Sequence, residues 1–168
     1  MPTKKILDPC CGSKMFWFDK NNQDAVFLDC RKEMIIAKDR SMKSGVQKIS
    51  ISPDFISSVE KIPFTDESFP LVVFDPPHLL NVGKNSWMAK KYGTLPKNWK
   101  PFIKNAFSEC FRVLKTNGTL VFKWSEKDIK LSEVLKLIKF KPTIGSRDKK
   151  RGTKWIIFFK SNNGVHNA

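Results

Sequence analysis

Three short apolar runs in the chain each end in an aspartate, and this pattern constrains the fold more than any other feature. The runs are KKILD (4–8), AVFLD (25–29) and LVVFD (71–75). The last has the continuous apolar character of a strand that is covered on both faces, as strands of parallel sheets are. Doubly wound folds bind their ligands beyond the carboxyl ends of such strands. The pattern therefore predicts an α/β fold with a ligand site next to these aspartates.

The other elements are predicted from apolar spacing and turn residues. Further strands are expected at 47–51 and 119–124, and an antiparallel pair at 142–147 and 154–160. Helices are expected at 32–43, 99–115 and 131–138, and Asn117-Gly118 is expected to end the second of them. Residues 79–98 are predicted to form a long loop, which in a compact domain indicates a functional segment.

Length and composition limit the class of protein. The 168 residues fit one domain over 1–160, with a polar tail at 161–168. The 31 Lys and Arg residues outnumber the 16 Asp and Glu residues, and the resulting charge of +15 predicts a polyanionic partner. The 40% hydrophobic content excludes a disordered basic tail, and no apolar run approaches the ~18–20 residues of a membrane span. Four cysteines, two of them adjacent, without a signal-peptide pattern predict a reduced, cytoplasmic protein.

The turn after the first run and three acids predict a binding pocket. Gly12 stands where a backbone approaches a ligand, but the turn lacks the three-glycine spacing of a pyrophosphate cradle. Asp29 can accept hydrogen bonds from ribose hydroxyls, and Asp54, just past the strand at 47–51, can hold an adenine amino group. Together with Asp8, these acids predict a nucleoside pocket that has no phosphate site.

The sharpest motif is Asp75-Pro76-Pro77-His78, directly after the third run. It resembles the Asp/Asn-Pro-Pro-aromatic signature of class I S-adenosylmethionine-dependent amino-methyltransferases. The turn DPCCG (8–12) looks like the cofactor loop of that family, and the stretches 62–69 and 112–118 are similar to other methyltransferase segments. The segments 14–20 and 75–99 look like a group of small phage and prophage methyltransferases. The resemblance covers 4–160 and implies a Rossmann-like methyltransferase fold, with a mostly parallel twisted sheet, an antiparallel C-terminal strand pair and helices on both faces.

The resemblance also implies roles for individual residues. The Asp75 carboxylate and the Pro76 carbonyl would accept both N–H bonds of an exocyclic amine, whose freed lone pair attacks the sulfonium methyl group. The two prolines fix the backbone, and the fourth residue usually stacks on the base. Here that residue is His78 instead of Tyr, Phe or Trp, which leaves the acceptor base open. The cofactor is S-adenosyl-L-methionine, and its implied binding residues are Asp8, Pro9, Cys10, Gly12, Asp29, Cys30, Asp54 and Asp75.

Basic and aromatic residues are interleaved between 79 and 115. This stretch has eight basic residues and one acid, and lysines for phosphates beside aromatics for unstacked bases are typical of a nucleic-acid groove. The predicted substrate-binding residues are Lys84, Trp87, Lys90, Lys91 and Tyr92. A second basic cluster precedes the last strand and contains Arg147, Lys149, Lys150, Arg151 and Lys154. A solvated, solubilising surface is the alternative reading of both clusters.

These observations favour a methyltransferase acting on an exocyclic amine, with adenine N6 in DNA or RNA as the first hypothesis and a protein partner as one source of target specificity. One alternative keeps the enzyme class and changes the acceptor to a cytosine or guanine amine or to a protein glutamine. A second alternative is a non-catalytic nucleic-acid-binding module with the same fold. Pro9-Cys10 matches the nucleophile of cytosine-C5 methyltransferases only superficially. In that family the nucleophile follows the fourth strand, and here the fourth predicted strand, 71–75, ends in the Asp75-Pro76-Pro77-His78 motif instead. No metal site is expected, since the sequence has no C-x-x-C pair.

Overall fold

The computed structural model describes residues 4–39, 41–83, 86–148, 150 and 152–161. The strands are β1 (Ile6–Asp8), β2 (Ala25–Asp29), β3 (Glu33–Lys38), β4 (Val46–Ile51), β5 (Phe55–Ile56), β6 (Phe69–Phe74), β7 (Leu114–Ser125), β8 (Ile144–Gly145) and β9 (Thr153–Phe159). The helices are α1 (Trp87–Tyr92), α2 (Trp99–Val113) and α3 (Leu131–Leu135). None of the helices in the described ranges is long and apolar enough to cross a membrane.

Seven strands form one sheet in the order β5-β2-β1-β6-β7-β9-β8. The pairs β1–β2, β1–β6, β2–β5 and β6–β7 are parallel, and β9 runs antiparallel to both β7 and β8. The strand order reverses between β1 and β6, which is where doubly wound sheets open a crevice for a ligand. The predicted α/β fold with an antiparallel C-terminal pair is confirmed.

The main core lies between the sheet and α2. This helix is amphipathic, and its buried residues include Ile103 and Phe107. The Phe107 ring packs edge-on against Phe74 of β6 and Phe122 of β7, with ring centroids 5.3 and 4.9 Å away. Val134 of α3 joins the same cluster of buried side chains. These contacts fix the position of the strands whose carboxyl ends carry the candidate site.

The prediction of helices on both faces needs refinement. Residues 9–24 connect β1 to β2 and contain turns in place of a helix. Trp17 from this segment packs edge-on against Phe27 of β2, with ring centroids 4.9 Å apart. An indole ring therefore covers the side of β2 that a crossover helix covers in a regular doubly wound fold.

The helix predicted at 32–43 is wrong, because this segment forms β3 and the turn of a β-hairpin. β3 pairs antiparallel with β4 in a separate two-stranded sheet. The turn is closed by the Asp39 carboxylate, which accepts hydrogen bonds from the backbone N–H and the hydroxyl of Ser41, and by Gly45 at φ 67°. The strand predicted at 47–51 therefore exists as β4 but lies outside the main sheet, where β5 takes its expected place.

Three further predictions are corrected by the structure. The segment predicted as a loop at 79–98 contains α1, whose first turn is capped by the Ser86 hydroxyl accepting from the Ala89 N–H. Helix α2 ends at Val113 and β7 begins at once, so Asn117-Gly118 lies inside a strand instead of ending a helix. Helix α3 stops at Leu135, short of the predicted end. The predicted antiparallel pair is confirmed as β8 and β9, whereas residues 162–168 of the predicted tail lie outside the described residues.

Candidate active site

A cavity of about 1000 Å³ lies at the carboxyl ends of β1, β2, β6 and β7. This is the upper end of the range for small-molecule and cofactor sites. The cavity brings together most of the residues predicted from the sequence: Pro9, Cys10, Gly12, Asp29, Cys30, Asp75, Pro76, Pro77, His78, Lys90, Lys91 and Tyr92 all line it. The predicted cofactor turn, the predicted catalytic motif and part of the predicted substrate loop thus share one crevice.

Asp8 does not line the cavity but lies fully buried beneath it. Its carboxylate accepts hydrogen bonds from the Cys10 N–H at 3.2 Å and from the Trp17 indole N–H at 2.8 Å. Burial raises the pKa of Asp8 to about 7, against the opposing effect of these two hydrogen bonds. Asp8 therefore shapes the turn after β1 from beneath the cavity.

Two other predicted residues lie away from the cavity. The Asp54 carboxylate accepts a hydrogen bond from the backbone N–H of Phe27 in β2. Along the chain, β5 is the third strand of the main sheet, after β1 and β2. Asp54 therefore precedes the third strand, whereas the sequence predicted that it follows that strand. Trp87 packs against Ala37, Ile49 and Ile51 in the hydrophobic core of the hairpin. Lys84 lies outside the described residues, as do Lys149 and Arg151 of the second basic cluster.

Asp29 ties the cofactor turn to the end of β2. One carboxylate oxygen accepts from the Gly12 N–H at 2.9 Å, and the other accepts from the backbone N–H and the Nε–H of Arg31. Gly12 has φ 49°, a left-handed conformation that favours glycine. A carboxylate has about four acceptor sites, so one site remains on Asp29 for a ligand hydroxyl.

Arg31 was missed at the sequence level, although it joins β2 to α1. Its Nη1 donates to the Lys90 carbonyl oxygen at 3.0 Å. A Cβ atom on Gly12 would lie 3.9 Å from the Lys91 carbonyl oxygen, so the end of α1 closes over the cofactor turn. The partners are distant in sequence, and the chain carries no local pattern that would have identified this arginine.

Asp75 is paired with Lys123 of β7, a second residue that the sequence analysis missed. The Lys123 ammonium donates to Oδ2 of Asp75 at 2.5 Å, and both side chains are about one-fifth exposed. Burial raises the pKa of Asp75, while Lys123 and His78 oppose that rise. A lysine inside the apolar run 119–124, next to the strand of the motif, is the signal that could have identified it.

His78 lies in an aromatic environment at the cavity wall. Its ring centroid is 6.1 Å from that of Tyr92 and 6.3 Å from that of Trp124. Burial lowers the pKa of His78 below its usual value, with Asp75 opposing the shift. Burial thus favours the neutral imidazole, whose face and unprotonated nitrogen are both suited to contact with a heteroaromatic ring.

The chain after the motif is anchored at two points. The backbone N–H groups of Leu80 and Asn81 donate to one carboxylate oxygen of Asp128. The Leu95 N–H donates to the Leu79 carbonyl oxygen at 2.9 Å. These bonds close residues 79–95 into a loop whose middle carries α1 against the cavity.

No protein-family model and no curated protein matches the chain. Solved structures are similar to it in fold. A protein from Pyrococcus horikoshii OT3 has a TM-score of 0.57 at 13% identity, over 94% of this chain and 82% of the other. A SAM-dependent methyltransferase from Methanosarcina mazei has a TM-score of 0.55 at 13% identity, over 94% and 92% of the two chains. A further SAM-dependent methyltransferase, from Thermotoga maritima, has a TM-score of 0.51 at 13% identity, over 96% and 84%. The fold is the Rossmann-like methyltransferase fold.

Proposed function

We propose that the chain is an S-adenosylmethionine-dependent methyltransferase that modifies an exocyclic amine, with adenine N6 in DNA or RNA as its acceptor. One observation carries the proposal. The Asp75-Pro76-Pro77-His78 motif lines the same cavity as the Gly12 turn and Asp29, at the strand-order reversal of a methyltransferase fold. A cofactor half-site and an amine-orienting half-site thus open into one space.

The residues of the first half fit the cofactor. Asp29 retains one acceptor site for a ribose hydroxyl, and Gly12 presents backbone to the cavity without a side chain. Pro9, Cys10 and Cys30 add largely apolar wall next to this pair. The wall lacks the glycine-rich cradle of a pyrophosphate site, in keeping with a nucleoside that carries no phosphate. S-adenosylmethionine supplies the electrophilic methyl group when it is bound.

The residues of the second half would orient the amine. The free oxygen of the Asp75 carboxylate and the Pro76 carbonyl oxygen are acceptors for the two N–H bonds, and this contact draws the nitrogen lone pair out of conjugation. The neutral His78 ring and the nearby Tyr92 ring would pack on the base that carries the amine. Helix α1 closes over the turn at Gly12 and limits the access of water.

A nucleic-acid acceptor is supported by charge at the mouth of this cavity. Lys90, Lys91 and Lys127 all line it, and the chain as a whole carries +15. The Lys91 ammonium also lies 5.5 Å from the ring centroid of Tyr92, a pairing of cation and aromatic that suits backbone phosphates next to unstacked bases.

Calorimetry with S-adenosylmethionine and methyl transfer from a radiolabelled cofactor test the proposal. We expect saturable cofactor binding, label in DNA or RNA rather than in a protein pool, and N6-methyladenine in the digested product by mass spectrometry. The absence of binding at millimolar cofactor would contradict the enzyme and leave a non-catalytic nucleic-acid-binding module. Label in cytosine, guanine or protein glutamine would retain the enzyme class and contradict the acceptor.

The double variant Lys90→Gln/Lys91→Gln tests the nucleic-acid surface. We expect weaker binding of a single-stranded oligonucleotide and a plot of log Kd against log salt concentration whose slope is shallower by about 1.4, since each of the two phosphate contacts contributes ~0.7 for single strands. The measurement is a fluorescence-anisotropy titration at several salt concentrations. The matched control is Lys61→Gln/Lys141→Gln, which removes two exposed lysines outside the cavity wall. Equal slopes for the two double variants would contradict a specific role for α1.

A further inference from the structure

We propose that Lys123 is a positioning residue for methyl transfer: its ammonium group holds one carboxylate oxygen of Asp75 so that the other oxygen meets the acceptor amine. The inference rests on the proposed function, because it specifies how the carboxylate of that site is kept in place. Its evidence is independent of the motif, since Lys123 belongs to another strand and was not part of the predicted site.

The backbone sets the distance between the two residues. β6 and β7 are parallel neighbours, and the last pair in their register is Phe74 with Phe122. Asp75 directly follows Phe74 at the end of β6, and Lys123 directly follows Phe122 in β7. The two residues therefore lie side by side at the carboxyl ends of the paired segments. On its other side, Lys123 is paired in register with Trp155 of β9. The ion pair therefore does not depend on a mobile loop.

The side chain of Lys123 is also confined. Its ammonium lies 5.5 Å from the Phe16 ring centroid and 5.8 Å from the Trp155 ring centroid. Within the described residues, the one salt bridge that Lys123 makes is to Asp75, at 2.5 Å. The ammonium is thus directed at a single oxygen, and among the described residues no hydrogen-bond donor occupies the other oxygen, Oδ1, which is left for a ligand.

The ion pair matters because burial disfavours the ionised form of the Asp75 carboxylate. The titratable groups around Asp75 are Lys123 on β7, His78 in the same motif, Asp8 at the end of β1, Cys10 in the following turn and Tyr92 on α1. Burial raises the pKa of Asp75, and Lys123 is the leading influence that lowers it. A protonated carboxyl accepts hydrogen bonds poorly, so methyl transfer falls as the pH falls through this pKa. Removal of the ammonium moves that fall to higher pH.

The test compares the full-length native chain with Lys123→Met and Lys123→Arg. The rate constant kcat/KM is measured from pH 5 to 9 with tritiated S-adenosylmethionine and an adenine-containing single-stranded oligonucleotide. For Lys123→Met we expect the acid limb to move up by about 1–3 pH units, the usual effect of an opposite charge at contact distance. Below that limb, each unit is a tenfold loss of kcat/KM. Lys123→Arg keeps the native limb, and calorimetry shows cofactor binding unchanged within about twofold in both variants.

A second pair of variants separates positioning from a structural role. In the Asp75→Asn background, Lys123→Met has no further effect on the pH profile if Lys123 acts through the carboxylate. An unmoved acid limb in Lys123→Met, or equal losses for Met and Arg, overturns the proposal. If Lys123→Met does not fold, Lys123→Gln takes its place under the same criteria. A native chain that neither binds the cofactor nor transfers methyl groups overturns the proposed function instead, and the two failures are thereby distinguished.

Discussion

Asp75→Ala reduces methyl transfer at least 100-fold and leaves S-adenosylmethionine binding within about twofold. The size of the loss follows from the removal of a preorganised acceptor that contacts the reacting amine, a change that typically costs 10²–10³ in rate. Cofactor binding persists because the Gly12 turn is held by Asp29 and not by Asp75. The measurements are single-turnover transfer from labelled cofactor and calorimetric titration of the same preparation.

The control for this variant is Asp75→Ala/Lys123→Met. Asp75→Ala alone leaves the Lys123 ammonium without the carboxylate that it contacts, and a partly buried unpaired charge lowers the free energy of unfolding. The double variant recovers the thermal stability but not the transfer. Loss of cofactor binding together with transfer in Asp75→Ala would mean that Asp75 holds the cofactor turn rather than the amine.

The main sheet could be predicted from the sequence because its strands are marked locally. The run 25–29 forms β2 with all five residues buried, and the run 71–75 forms most of β6. Asp29 and Asp75 end their runs at the wall of the same cavity, whereas Asp8 stays buried beneath it. The motif at 75–78 needed no tertiary information, since a strand and the turn that follows it are contiguous in the chain.

The rest of the site depends on contacts that are remote in sequence. Lys123 and Arg31 gain their roles from Asp75 and from the Lys90 carbonyl, each 48 or more residues away. Asp54 was misplaced for a related reason. Once β4 pairs with β3, the next strand becomes β5, and Asp54 changes from the end of one strand to the beginning of another.

The segment 32–43 was ambiguous because apolar residues at 34–37 suit either a helix or a strand. The two faces of the hairpin have different surroundings, and this difference favours strands over a helix. Ala37 is buried in the core that contains Trp87, whereas Met34 and Ile36 remain exposed. That alternation depends on α1, a helix of six residues, which is too short to show a periodic pattern.

Gly118 shows how one residue can be identified as structural and still be assigned the wrong role. It was expected to end a helix, but it lies in β7 where the register against β6 jumps from Phe69–Leu114 to Leu71–Thr119. The extra residues of β7 form a bulge that includes Asn117, which has φ 63°. A Cβ atom on Gly118 would approach the carbonyl oxygens of Lys115 and Pro70 to 2.7 and 2.9 Å. Glycine is therefore required by a close approach of two backbones.

Gly118→Ala is consequently expected to lower the free energy of unfolding by about 1–3 kcal/mol, the usual cost of forcing a methyl group into a packed site. For a chain of this size, that corresponds to a fall in Tm of roughly 2–12 °C by differential scanning calorimetry. Neither oxygen is the end of a flexible side chain, so β6 and β7 must separate for the methyl group to fit. The matched control is Gly83→Ala, where no atom of the described residues other than its chain neighbours lies within 4 Å of the added Cβ. Its Tm stays within about 1–2 °C of the native value, as expected for a surface change of up to ~0.5 kcal/mol. Equal Tm values for Gly118→Ala and the native chain would contradict the close packing of β6 against β7, on which the pairing of Asp75 with Lys123 also depends.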